Sequence, residues 1–303
     1  MMEQTSPEPV SDLPKPQFSP LGRSTAFSSW LPWLFLGLLL LASYIPMLYN
    51  MGKMWIEDDN MSHGLFVPIA AAFIARDKRD FLASIPPKVN YWGLVLVFLG
   101  MIMLCIGPPS LPTFVFITRS AFLFSLVGSI LFLRGTATVR ALAYPLALLP
   151  LMIPLPGFIY DRLTLPLQLL ASILAENFLT WMGFSVLREG NILQMPTQTL
   201  SVAEACSGLR SLYALTFLTL TFAYFFTGRS WRRWVLIAAI VPVAIVANAG
   251  RVTATAILGT YNPAFTIGFY HELLGWTVFV FAFIMLFCLN TALKSHIKRF
   301  TPA

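Results

Sequence analysis

Apolar runs close to twenty residues long recur along this chain from Trp30 almost to the C-terminus. Each is long enough to cross roughly 30 Å of hydrocarbon. The balance of residues agrees: 57% of the 303 residues are hydrophobic and 11% are charged, with a mean hydropathy of +0.74. A soluble domain carries about a quarter charged residues. The expected fold class is an all-α polytopic membrane protein with about eight transmembrane helices.

The spans read as 30–49, 64–75, 91–107, 112–133, 139–155, 207–226, 234–250 and 272–293. The second is only about 12 residues long, short for a full crossing. The long insert from Pro156 to Ala205 is expected not to span. Its first part, 158–182, is amphipathic, with Gln168, Glu176 and Asn177 breaking the apolar run. Its second part, 186–202, carries Gly190-Asn191 and Pro196-Thr197 between β-prone stretches. That pattern predicts a small extracytoplasmic hairpin before helix six. Residues 1–29 read as a disordered tail, being polar and rich in Pro and Ser. Residues 294–303 read as a basic tail, leaving 30–293 as the membrane domain. The first apolar stretch is full length and lacks a small-residue cleavage site, so it is expected to be retained.

A net charge of +7 raises the question of nucleic acid, but the basic residues sit in short loops between apolar spans. With the N-terminus inside, the inside segments collect Lys15, Arg23, Arg76, Lys78, Arg79, Lys88, Arg134, Arg140, Arg229, Arg232, Arg233, Lys294, Lys298 and Arg299, fourteen of the twenty Lys and Arg residues. Outside loops keep Lys53, Arg162 and Arg188, while Arg119, Arg210 and Arg251 fall within or at the ends of spans. This asymmetry predicts both termini inside and membrane lipid, not nucleic acid, as the surroundings. It also puts His63, Cys206, Arg251 and His271 together at the outer surface, with His296 in the inner tail.

The chain has three cysteines and no Cys-x-x-Cys. No set of His, Cys, Asp and Glu has ligand spacing, so neither a metal nor a cofactor is expected. Cys105 and Cys288 lie in apolar runs, where a thiol behaves as a small hydrophobe. Cys206 instead sits in Ala203-Glu204-Ala205-Cys206-Ser207-Gly208-Leu209-Arg210-Ser211, at the mouth of a membrane helix. A helix N-terminus and nearby cations, here Arg210 or Arg251, favour the reactive thiolate. His271 can take the thiol proton and return it to a leaving amine. Arg251 can donate to a developing oxyanion or hold a substrate carboxylate, and Asn248, three residues earlier on the same helix face, can orient it. Arg210, one turn inside the membrane, calls for a partner such as Glu204 or Glu272. Each residue also has a plainer reading: Arg251 can snorkel to headgroups, and His63 can cap span two.

Ala205-Cys206-Ser207-Gly208-Leu209-Arg210-Ser211, then Asn248-Ala249-Gly250-Arg251, then Tyr270-His271-Glu272 resemble the ordered Cys, Arg and His motifs of the exosortase/archaeosortase family. Trp55, Ser62-His63-Gly64, Pro68 and Glu189-Gly190-Asn191 also resemble its bacterial branch. The resemblance covers about residues 30 to 293. It implies Cys206 as nucleophile, Arg251 as stabilising arginine and His271 as general base. It further implies a bacterial cytoplasmic membrane, with the site at the periplasmic face. The substrates it implies are exported proteins ending in a Pro-Glu-Pro-type signal, a membrane helix and a basic tail. A helical substrate of that kind has to enter sideways from lipid. The alternatives are a transporter, which places polar groups near the bilayer midplane, and a scaffold in polysaccharide export, which tolerates loss of the thiol. A serine protease of the rhomboid type is disfavoured by Cys206.

Overall fold

The computed structural model describes residues 25–106, 112–202, 209–227, 230–266 and 268–300. The chain divides into two compact units, Met1–Ala42 and Ser43–Ala303. The described part of the first is the beginning of helix α1 (Thr25–Glu57). The second contains the rest of α1, then α2 (Phe66–Asp77), α3 (Arg79–Ser84), α4 (Trp92–Cys105), α5 (Pro112–Arg134), α6 (Thr136–Ala141) and α7 (Ala143–Leu148). It continues with α8 (Gly157–Trp181), strands β1 (Leu187–Glu189), β2 (Ile192–Met195) and β3 (Gln198–Ser201), and helices α9 (Leu209–Phe226), α10 (Ser230–Tyr261) and α11 (Gly268–Phe300).

Five described helices, α1, α5, α8, α10 and α11, contain segments long and apolar enough to cross a membrane, and three shorter apolar helices accompany them. Large apolar side chains face outward, as Leu94, Val95, Phe98 and Met101 do on α4. Such a surface is at home in hydrocarbon and a liability in water. The chain is a multi-pass α-helical membrane protein.

The long-range bonds define two ends. At one end, Lys78 donates to the Ala141 carbonyl, Arg134 to the Leu82 carbonyl and Arg233 to the Thr227 carbonyl. Tyr224, near the end of α9, donates to Asp77, at the end of α2. At the other end, His63 rests against Tyr213 near the start of α9, with ring centres 5.8 Å apart. There His63 donates to the Leu151 carbonyl at 3.2 Å, and Trp55 donates to the Met152 carbonyl at 3.0 Å. Helix α2 therefore runs alongside α9 from one end to the other despite its twelve residues. The basic loops gather at the first end and the histidine at the second. Span 139–155 is broken into α6, α7 and the 3-10 turn Leu149–Met152. Pro145, Pro150 and Pro154 each remove a backbone donor along this stretch.

Two expectations need correction. The strand region is not a two-stranded hairpin: β1, β2 and β3 form an antiparallel meander, with Arg188 opposite Leu193 and Leu193 opposite Leu200. Helix α10 does not stop at Gly250 but runs eleven residues further, to Tyr261. Arg251 is thus well inside the helix, with three turns beyond it. Those turns are held because Val252 and Ala256 join Ala171, Ala175 and Leu179 of α8 and Leu193 and Leu200 of the sheet in one buried cluster. Gln198 on β3 also donates to the Ala256 carbonyl at 2.6 Å.

Helix α8 is 25 residues long and apolar enough to cross. It follows the 3-10 turn held by His63 and leads into the sheet bonded to the last turns of α10. The sheet folds back along it, Asn191 donating to Gln168 and Arg188 to Glu176. Gln168 and Glu176, two of the polar residues that interrupt its apolar run, face the sheet.

Candidate active site

Arg251 and His271 meet. Helix α10 carries Arg251, the antiparallel α11 presents His271 in its first turn, and Arg251 Nη2 lies 2.9 Å from His271 Nε2. A guanidinium can only donate, so Nε2 accepts, and the imidazole is the neutral tautomer with its proton on Nδ1. Gly275, one turn after His271, makes the approach possible. A Cβ there would lie 2.9 Å from both Cζ and Nη2 of Arg251. The guanidinium lies flat against the bare backbone of α11 at this point.

These two residues stand at the head of a cleft of about 600 Å³ between α2, α9 and α11. Its head is polar, with Ser62, His63, Ser211, Arg251 and Glu272. Its body is apolar, with Phe66, Ile69 and Phe73 on one side, Phe217 and Phe225 at the back and Trp276 and Phe279 on the other. The body extends from Ser211 to Phe225, about 20 Å along α9. Phe66, Ile69, Phe73 and Trp276 are 57 to 63% exposed, so the cleft opens sideways along its length. Arg119 on α5 is not part of it.

His63 is buried, and burial holds its pKa below the ordinary value, with the bond to the Leu151 carbonyl pulling the other way. A carbonyl only accepts, so His63 carries its proton on Nε2. Trp55 lies so close that a Cβ on Gly64 would run into its indole Nε1. Trp55, His63 and Gly64 together fix the turn at 149–152, so His63 both braces that turn and forms the cleft wall.

Cys206, Ser207, Gly208 and Glu204 lie outside the described residues. Arg210 falls in the first turn of α9, and Ser211, five positions after Cys206, lines the head of the cleft. Asn248 is buried on α10 behind Arg251. The sequence reading missed Gly275 and the aromatic walls. Gly275 had a signal, since a glycine four positions after a candidate base lies on the same helix face and marks a close approach.

Fold and cleft together define a multi-pass membrane protein with a polar site at the head of a lateral apolar groove. The family described as transmembrane exosortase matches residues 55–288, and the chain belongs to that family. Neither a curated protein nor a solved structure matches it.

Proposed function

We propose that this chain is a cysteine transpeptidase or protease of the bacterial cytoplasmic membrane. It cleaves the C-terminal sorting signal of exported proteins, Pro-Glu-Pro followed by a membrane helix and basic tail, and passes them to an envelope acceptor or to water. The observation that carries this reading is the Arg251–His271 pair at the polar head of a cleft open along its side. Membrane helices α1, α2, α4, α5, α7, α9, α10 and α11 make eight crossings, with α8 and the sheet on the periplasmic side and both termini in the cytoplasm. Residues 30–293 form the catalytic domain between two tails.

In this reading the membrane helix of the substrate lies in the apolar body of the cleft. The peptide bond to be broken then sits at its head. Arg251 Nη2 turns from His271 Nε2 toward the substrate, the freed Nε2 takes the proton of Cys206, three residues ahead of α9, and the thiolate attacks the carbonyl carbon. Arg251 stabilises the oxyanion, and the C-terminal segment departs as an amine carrying the proton from His271. The acceptor resolves the thioester. The charged groups of the cleft, Arg251 and Glu272, lie at one end of the bundle and not at mid-depth, which favours an enzyme over a transporter.

The test is cleavage of a co-expressed reporter bearing such a signal. Cys206→Ala and Cys206→Ser are expected to abolish processing, at least about 10³-fold, while membrane insertion is unchanged. Native processing by Cys206→Ala would remove the thiol from the mechanism and leave the export scaffold as the better reading.

A further inference from the structure

The head of the cleft has a side chamber. Ser211, Arg251, Gly275 and Phe279 line both the cleft and a cavity of about 10 Å³ between α9, α10 and α11. Leu215, Ala244 and Ala282 close the chamber, which has room for one water-sized group. Two donors border it. Asn248 is only 7% exposed, and its Nδ2 has no acceptor among the described residues. Arg251 engages His271 through Nη2, and its Nε is also buried without an acceptor among the described residues. The two residues are three positions apart on α10, so both N–H groups reach the chamber from one wall. Buried donors are nearly always paired in folded proteins. Two that converge on a space the size of one oxygen atom form a donor set of the kind that binds an oxyanion.

We propose that Asn248 Nδ2 and Arg251 Nε together hold the substrate's carbonyl oxygen as it becomes an oxyanion, making Asn248 a catalytic residue. This rests on the thiol acyl-transfer reading above. The thiolate sulfur of Cys206 bonds to the carbonyl carbon, and the π pair moves onto the oxygen between the two N–H groups. Collapse returns that pair, breaks the C–N bond and sends the nitrogen away with the proton that His271 took from the thiol. The chamber's apolar walls strengthen both hydrogen bonds once charge develops. Because the charge exists only in the transition state, Asn248 acts on rate and not on substrate affinity.

The experiment uses the full chain in lipid nanodiscs, in excess over the reporter. It reads the single-turnover cleavage rate, capture of uncleaved reporter, and alkylation of Cys206 by iodoacetamide, which forms no oxyanion. Asn248→Leu is expected to slow cleavage about 10²–10³-fold, with capture and alkylation within twofold of native. Asn248→Asp, similar in shape but without the amide donor, gives the same loss and serves if the leucine variant misfolds. Cleavage within threefold of native in both variants overturns the proposal. So does a native rate with a raised thermal midpoint in Asn248→Leu, which marks a chamber holding only water, or an equal fall in capture and rate, which marks a packing role. Cleavage by Cys206→Ala would instead sink the thiol reading. Loss in Cys206→Ala with none in the Asn248 variants removes only the oxyanion hole.

Discussion

Helices α4 and α5 meet through glycine, and so do α10 and α11, but the glycines serve opposite purposes. On α4, Gly93 lies against the backbone of Phe132 and Gly128, and a Cβ on Gly100 would press on the Ala121 carbonyl at 2.8 Å and on Ser125. Backbone approaches backbone, and the polar groups nearby are satisfied: Tyr44 shares a 2.8 Å bond with Ser125, and Ser129 donates to the Ser125 carbonyl. Apolar surface gives helices little reason to associate in a bilayer, so close packing of small residues supplies the attraction. On α11, Gly275 leaves its space to the guanidinium of Arg251. Around that contact the buried polar groups are not all satisfied: among the described residues, Asn248 Nδ2 and Arg251 Nε have no partner. One contact is finished as packing; the other leaves buried donors without partners among the described residues.

The comparison can be broken most sharply at Gly275. Gly275→Ala pushes the Arg251 guanidinium off α11 and away from His271. A displacement of about 1 Å at a reacting group can cost about 10²-fold, and reporter cleavage is expected to fall by that order with the thermal midpoint nearly unchanged. An unaffected rate would show that the Arg251–His271 contact is not used. The mirror-image variant is Gly93→Val, which forces the facing backbone aside. It is expected to lose about 1–3 kcal/mol of stability, read as a lower midpoint in detergent, while cleavage per folded molecule is retained. Loss of activity without loss of stability would mean that the α4–α5 contact reaches the site after all.

The smallest effect concerns His63, whose folded pKa is depressed by burial. The unfolded chain takes up a proton near pH 6.5, and the folded one does so only lower. Stability from this group is therefore complete above about pH 6.5 and declines as pH falls toward the folded value. The thermal midpoint of the native chain is expected to drop between pH 7 and pH 5 by more than that of His63→Gln, which keeps a donor for Leu151. Equal slopes would show that His63 does not contribute.

Much of this was legible from the sequence because lipid imposes simple rules. The apolar runs and basic loops pointed to the two ends, and the Arg and His motifs pointed to residues that do meet. The failures have physical causes. The seventh span reads as ending at Gly250, but burial of Val252 and Ala256 against α8 and the sheet keeps the chain helical to Tyr261. Two turn signals, Gly190-Asn191 and Pro196-Thr197, separate three strands, and counting them as one hairpin missed β3. The chamber beside Asn248 arises from three helices distant in sequence, and no local pattern announces it.

The open side of the cleft has a kinetic consequence. A partner that arrives through that opening is counted per unit area of bilayer and not per unit volume of solution. Its encounter with Arg251 and His271 then depends on how many lipids separate the two proteins. Adding lipid at fixed protein dilutes such a reaction, and adding buffer does not.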